Sequence, residues 1–324
     1  MTVKLSMLTY AQPDWSKGGF MDRRDFMKQV LLWTAGISTS IPSFRIGSEL
    51  LAAEKAPPVV SHVKGKNYYE LVARVLEPLG GIGTFVNTGD QVVIKPNMAW
   101  DRSPDQAANT HPLVVKALVE QSLDAGAKKI MVFDRTCNEQ RRCYVNSGIQ
   151  KAMESIKDKR LAYYHPDTRK FVPVNIERGK AVNRLEIYRD AIEADTYINV
   201  PIAKHHSLSK LTLGLKNSMG VLGGNRGNMH HNLGQKLADL ATVIRPKLTL
   251  IDATRILLRN GPQGGDLDDV KILDTLVASA DPVAGDAFAT TLFNMQPDAI
   301  PSTVAAYKMG LGEMHLDRMQ IIQA

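Results

Sequence analysis

The chain has 324 residues, 44% of them hydrophobic and 23% charged, which supports a folded core and argues against disorder as the default. Lys and Arg number 40 against 33 Asp and Glu, a formal +7 with no long basic run; with an aromatic content of 6% this disfavours nucleic acid and suits a small anionic ligand. No apolar run reaches the ~18–20 residues of a bilayer span, so no stable membrane insertion is expected, and two Cys exclude a cluster or zinc ion held by four thiolates of one chain.

In chain order, the first expectation is a leader. Arg23-Arg24, the hydrophobic Phe26 and Lys28 precede a weakly apolar stretch, Val30 to Ile37, and then a small-residue cleavage site, Leu51-Ala52-Ala53. This order is that of a twin-arginine export signal over residues 1–53. Met21 is then the candidate true start, and residues 54–324 the mature α/β domain. The competing reading is an amphipathic helix that holds two Arg. Export implies a twin-arginine translocase as partner and a periplasmic or extracytoplasmic location.

Tyr68 to Leu76 reads as a helix, ended by the glycines after Leu79. Gln91 to Lys95 is a β-branched strand stopped by Pro96-Asn97. Thr110-His111-Pro112 opens a helix to Asp124, closed by Gly126. Lys129 to Phe133 is a strand ending at Asp134, and a helix carrying Ile149, Met153 and Ile156 follows. Cys137 and Cys143 fall in this polar stretch, where a short disulfide and two free thiols are both open. Tyr197 to Val200 is a strand stopped by Pro201. Leu233, Leu237, Leu240, Ala241 and Ile244 line one face of a helix from about Asn232 to Ile244. Leu248 to Ile251 is a strand ending at Asp252. Asp281-Pro282 caps a last strong helix. Alternating strands and helices predict an α/β fold with a largely parallel sheet covered by helices on both faces, with room for a small inserted subdomain. Ligands of such sheets sit outside the strands' carboxyl ends.

Polar residues cluster at those ends. Lys95, Lys204 and Lys216 each stand beside an abrupt turn with an Asn or His within two residues, and converging strand ends would form a pocket for carboxylate or phosphate. Asn97, Asn199 and Asn217 are the candidate orienting groups. Four glycines, Gly220, Gly223, Gly224 and Gly227, form with Arg226 a loop running into a helix N-terminus, an arrangement that favours anions, although it matches neither the Walker nor the dinucleotide spacing. His205-His206 and His230-His231 are adjacent pairs, so each offers one inward ring. His205 is the candidate proton carrier with Lys216 beside it as a catalytic lysine, and His205, His230 and Asp252 are candidate ligands for a divalent metal. Asp286, in the first turns of the last helix, serves either a ligand or the helix dipole. Gly261-Pro262 with Gly264-Gly265 reads as a turn cluster.

The ordered set Ile94-Lys95-Pro96-Asn97, Ile198-Asn199-Val200-Pro201, Lys204-His205, Leu215-Lys216-Asn217 with Met219-Gly220, the His230 region, Ile251-Asp252-Ala253, Gly261-Pro262 and Asp281-Pro282-Val283-Ala284 with Asp286 resembles the bacterial and archaeal family called domain of unknown function 362, over roughly residues 60–315. The resemblance implies no defined activity. Some members append a ferredoxin-like iron–sulfur segment; this chain has no Cys-rich stretch, so no iron–sulfur cluster is expected. Two function classes remain. One is an enzyme on a small anionic substrate, working by His/Lys acid–base or metal-assisted chemistry. The other is a non-catalytic ligand-binding or accessory protein for maturation of exported redox proteins.

Overall fold

The computed structural model describes residues 56–324, so the leader expected over residues 1–53 lies outside the described residues. The first half runs β1 (Val59–Lys64), α1 (Tyr68–Leu76), β2 (Gln91–Pro96), α2 (Pro112–Asp124), β3 (Lys129–Val132), α3 (Gln140–Asn146), α4 (Ile149–Glu154) and β4 (Leu161–Tyr163). Then come β5 (Phe171–Asn175), β6 (Arg184–Tyr188), α5 (Arg189–Glu193), β7 (Thr196–Val200), β8 (Ile202–His206), β9 (Lys210–Thr212) and α6 (Gly214–Asn217). The last third holds α7 (Leu233–Ala241), β10 (Leu248–Leu257), β11 (Val270–Ser279), α8 (Pro282–Thr291), α9 (Pro301–Lys308) and β12 (Gln320–Gln323).

The main sheet is mixed and mostly parallel, in the order β12-β1-β11-β10-β7-β2-β3-β4. Strands β10, β7, β2, β3 and β4 are mutually parallel. Along this path β11 is antiparallel to both β10 and β1, and off it β8 pairs parallel with β10 and antiparallel with β9. β5 and β6 form a separate two-stranded antiparallel sheet.

Strand alternation sorts the core. Val92, Ile94, Ile198 and Val200 pack with α1 and α2 on one face, whereas Val93 and Tyr197 meet Leu233, Leu237 and Leu240 of α7 on the other. Each of those leucines contributes about 1.5–3 kcal/mol by leaving water. Ile251 and Val277 face Ala284 and Ala289 of α8. Asp281 caps α8 through the N–H groups of Val283 and Ala284, at 2.9 and 3.0 Å.

Three local expectations are corrected. The helix expected to carry Ile149, Met153 and Ile156 is α4, which ends at Glu154, short of Ile156, and a separate α3 precedes it, parted from it at Gly148, whose φ of 74° breaks the helical path. Helix α7 stops at Ala241, short of Ile244. β10 does not end at Asp252: it continues to Leu257 because its second half finds partners in β8 and β11. The chain makes this possible by leaving β7 at Pro201 and re-forming beside β10 as β8, with the Pro201 carbonyl accepting from the Asp252 N–H at 2.8 Å.

Candidate functional site

At the carboxyl ends of β2, β3 and β7 the sheet opens into a cavity of about 400 Å³. β2 delivers Lys95 and Asn97, the end of β3 delivers Asp134, the β8–β9 hairpin delivers Lys204, His206 and Thr212, and α6 delivers Lys216 and Asn217. Trp100, Arg135, Cys137, Arg226 and His230 complete much of the wall. Asp134 is the one carboxylate among the lining residues, against Lys95, Lys204, Lys216, Arg135 and Arg226.

The Asn217 amide holds the floor together. Its oxygen accepts from Lys95 Nζ at 3.0 Å and from Asn97 Nδ2 at 2.9 Å. Its nitrogen donates to Asn199 Oδ1 at 2.8 Å and to the Lys95 carbonyl at 3.3 Å. Asn199 in turn donates to the Gly214 carbonyl at 2.8 Å. Behind this turn Asp286 accepts from the N–H groups of Gly214 and Leu215, at 2.6 and 2.9 Å.

The three lysines are not equivalent. An ammonium has three N–H donors and no acceptor. Lys95 has engaged all three: with Asp134 Oδ1 at 2.9 Å, with Asn217 Oδ1, and with the Pro96 carbonyl at 2.8 Å. Lys204 has engaged two, with the Ala108 carbonyl and with Asn97 Oδ1 at 3.3 Å, and it stands 5.9 Å from the Trp100 ring centre. Lys216 makes no hydrogen bond or ion pair among the described residues, so its donors are open to the cavity. The buried hydroxyl of Thr212, also in the wall, has no partner either.

Burial and mutual repulsion loosen the protons here. Burial pushes the Lys204 ammonium down to about 7, with Lys216 and Lys95 adding to the shift against the pull of Cys137 and Asp134. Burial pushes Lys216 down to about 8, helped by Arg226 and Lys95. Lys95 is also lowered by burial, opposed by Asp134. Burial and then the neighbouring lysines hold His206 down at about 3, so its ring is neutral. Its Nδ1 accepts from the N–H groups of Leu208 and Ser209, at 3.1 and 3.3 Å, which leaves the ring proton on Nε2.

Of the residues singled out in the sequence, Lys95, Asn97, Lys204, Lys216, Asn217, Arg226 and His230 line the one cavity. His205 does not. Successive residues of a strand face opposite ways, so His206, not His205, shares the cavity face with Lys204. His205 Nδ1 instead accepts from the Gly261 N–H at 3.1 Å and ties down the Gly261-Pro262 turn, whose Pro262 reaches the cavity. Asp252 is buried mid-strand and accepts from the His111 N–H at 2.7 Å and from Thr254, which makes it a support for the start of α2. His205, His230 and Asp252 are therefore not brought together, and among the described residues no cluster of three His, Cys, Asp or Glu is poised for a metal. Asn199 and Asp286 act behind the wall. Gly223 and Gly224 pack on Phe171 and Glu186, away from the cavity. The N-terminus of α7 does not reach the cavity, so the loop preceding it makes no helix-end anion site there. Cys137, exposed, and Cys143, buried in α3, are free thiols; Arg226 Nη2 lies 3.9 Å from Cys137 Sγ.

Asp134 stands out in the sequence as a polar strand end but without a role; residues that sequence reasoning passed over are His206 as a cavity residue, Trp100, Arg135 and Thr212. His206 had a signal, in the two-residue period from Lys204.

Gly220 packs against the Lys95–Asp134 pair, and an added Cβ would stand 2.5 Å from Lys95 Nζ and deep inside contact with Asp134 Oδ1. Gly220→Ala is expected to destabilise by about 3 kcal/mol in urea unfolding. Gly227→Ala, also in the wall but facing only the side chain of Asn225, is the control and is expected to lose less than about 1 kcal/mol.

Residues 92–291 match the family model described as domain of unknown function (DUF362). The chain is 30% identical over 249 residues to the thylakoid-associated protein sll1697 of Synechocystis, a match covering 73% of each chain. Among solved structures it resembles a structural-genomics protein of Thermotoga maritima, with a TM-score of 0.42 and 11% identity over 76% of this chain and 60% of that one. It also resembles the lactate racemase apoprotein of Thermoanaerobacterium thermosaccharolyticum, with a TM-score of 0.40 and 14% identity over 76% of this chain and 57% of that one. The chain thus spans about three fifths of the length of these two solved proteins.

Proposed function

The chain belongs to the domain of unknown function 362 family, and from that premise we propose that its cavity binds a small carboxylate- or phosphate-bearing molecule and moves a proton on it. The observation that carries this reading is the surplus of open cationic donors. Asp134 is already paired with Lys95, while Lys204 keeps one unshared donor and Lys216 three. Arg226 and Arg135 anchor on backbone carbonyls and add their charge to the field. Near neutral pH Lys204 and Lys216 exchange protons readily, which suits general acid–base work. The role first given to His205 passes to these lysines, with His206 as a neutral donor.

Thermal shift with sulfate, phosphate, citrate and pyruvate tests the reading. Each bound anion is expected to raise the Tm of the wild type, and Lys204→Met and Lys216→Met to abolish the rise. No response in the wild type, or a rise in both variants equal to that of the wild type, would sink the idea. The pH dependence has a definite sign. The anion prefers the ammonium forms, which are lost as pH rises through about 7 and 8. Sulfate, which does not titrate in this range, is expected to bind at least roughly tenfold more weakly at pH 9 than at pH 7.

Export by the twin-arginine route, and hence a periplasmic or extracytoplasmic location, is part of the same proposal. It rests on the Arg23-Arg24 motif, the apolar stretch and the Ala52-Ala53 site. N-terminal sequencing of protein from the native host should give a start at Glu54; an intact leader on cytoplasmic protein would refute it.

A further inference from the structure

Proton transfer accounts for two neighbouring amines but not for the difference between them. Lys204 is tethered by the Ala108 carbonyl and Asn97, and Lys95 by three acceptors; the Lys216 amine, in the same cavity, has no acceptor among the described residues. An amine that only supplies positive charge gains from fixed acceptors around it. An amine that must give up its hydrogens gains from having none.

We propose that Lys216 is a covalent nucleophile that forms an imine with a 2-oxo acid, whose carboxylate is held by Lys204 and Arg226. The inference rests on the anion-site reading and narrows its ligand to a class with a keto group beside the acid. The Lys216 Nζ lone pair forms the C–N bond while the carbonyl π pair moves to oxygen, which takes a proton. The resulting carbinolamine then expels that oxygen as water while the C=N bond forms. Both amine hydrogens leave in that water, so the step needs no oxidant or reductant.

Hydrogen accounting selects Lys216 among the three. Imine formation at Lys95 would break its contacts with Asp134, Asn217 and Pro96, and at Lys204 its bonds to Ala108 and Asn97. At Lys216 it breaks none. The surroundings supply the rest: neutral His206 carries a proton on Nε2 for the carbonyl oxygen, and the buried Thr212 hydroxyl, without a partner among the described residues, is a further donor in the wall. Lys216 is fixed at its base by the Asn217 hub and by Asp286 on the N–H groups of Gly214 and Leu215, so the free amine stands on a rigid stem. A lysine partly desolvated and crowded by other cations is the usual setting for this chemistry, because more of it is neutral at pH 7–8.

The test is reductive trapping on the full chain with pyruvate as probe. Wild type is incubated with pyruvate at pH 7.5, treated with borohydride and digested. The expected result is one pyruvate-derived addition mapped to Lys216. It should be suppressed by excess sulfate, absent in Lys216→Arg, and present in a variant at a distant exposed lysine, Lys271→Arg. Mapping the adduct in the wild type keeps the test independent of whether Lys216→Arg folds. If pyruvate raises the Tm yet borohydride fixes nothing on Lys216, the imine is overturned and the anion site stands. If neither pyruvate nor sulfate changes the Tm and no adduct forms, both readings fall.

Discussion

Asp134→Asn is expected to cost about 3–5 kcal/mol of stability, the largest effect of any single substitution at the cavity. Lys95 and Asp134 are both 1% exposed, and their charged atoms are 2.9 Å apart. The other Asp134 oxygen accepts from the Met98 N–H at 2.7 Å, a bond an Asn oxygen can keep. What the substitution removes is the countercharge, leaving the Lys95 ammonium buried beside two neutral acceptors. Urea unfolding at pH 7 measures the loss, and a change below about 1 kcal/mol would refute the account. The double variant Lys95→Met with Asp134→Asn is expected to be less destabilised than Asp134→Asn alone, because no unpaired charge remains. That reversal separates a charge effect from a packing effect.

Raising the pH from 7.5 to 9.5 is expected to stabilise the wild type by about 2–4 kcal/mol, against the usual decline of proteins at alkaline pH. Folding lowers Lys204 to about 7 and Lys216 to about 8 from the ordinary 10.5. Across this window the unfolded chain binds more protons than the folded one, so unfolding free energy climbs with pH at up to about 1.4 kcal/mol per pH step per lysine. The penalty is fully present below the folded values, is relieved progressively as pH rises above them, and is gone only above about 10.5. Denaturant midpoints at the two pH values measure it. Lys204→Met should remove about half of the climb; an unchanged climb in that variant would show that the source lies elsewhere. Saturating sulfate should flatten the wild-type profile, since it stabilises the protonated forms and is lost with them.

The regular elements were legible where a single rule governs them. Tyr68 to Leu76, Pro112 to Asp124 and Asp281-Pro282 carry their own periodicity and caps, and the structure keeps them. The positions of Lys95 and Asn97 were legible because a strand ended by proline delivers its last polar residues to the sheet edge, and those of Lys204, Lys216 and Asn217 because each stands beside an abrupt turn. What failed was anything decided by partners far along the chain. Asp252 and Asp286 look like ligands in a sequence, because nothing in it distinguishes a carboxylate aimed at a ligand from one aimed at backbone N–H groups 141 or 71 residues away. His205 was chosen over His206 by proximity to Lys204, although the strand's two-residue period favours His206. The antiparallel β11 went unread because its exposed half, Val270 to Leu273, mixes Lys and aliphatic residues with no period that the core imposes.

The grip of Asp286 on Gly214 and Leu215 also sets a timetable. Lys95, Lys204 and Lys216 all leave the ribosome well before residue 286, yet the first two backbone donors of the short turn carrying Lys216 and Asn217, those of Gly214 and Leu215, are met by that later carboxylate. Strand β7 pairs with the earlier β2 along its whole length, whereas its second edge is covered only when β10 arrives. A nascent chain paused before α8 therefore has every cavity lysine but not the carboxylate that fixes the turn of Lys216. Protease protection of the segment around Lys216 should accordingly rise in stalled chains once α8 has been made.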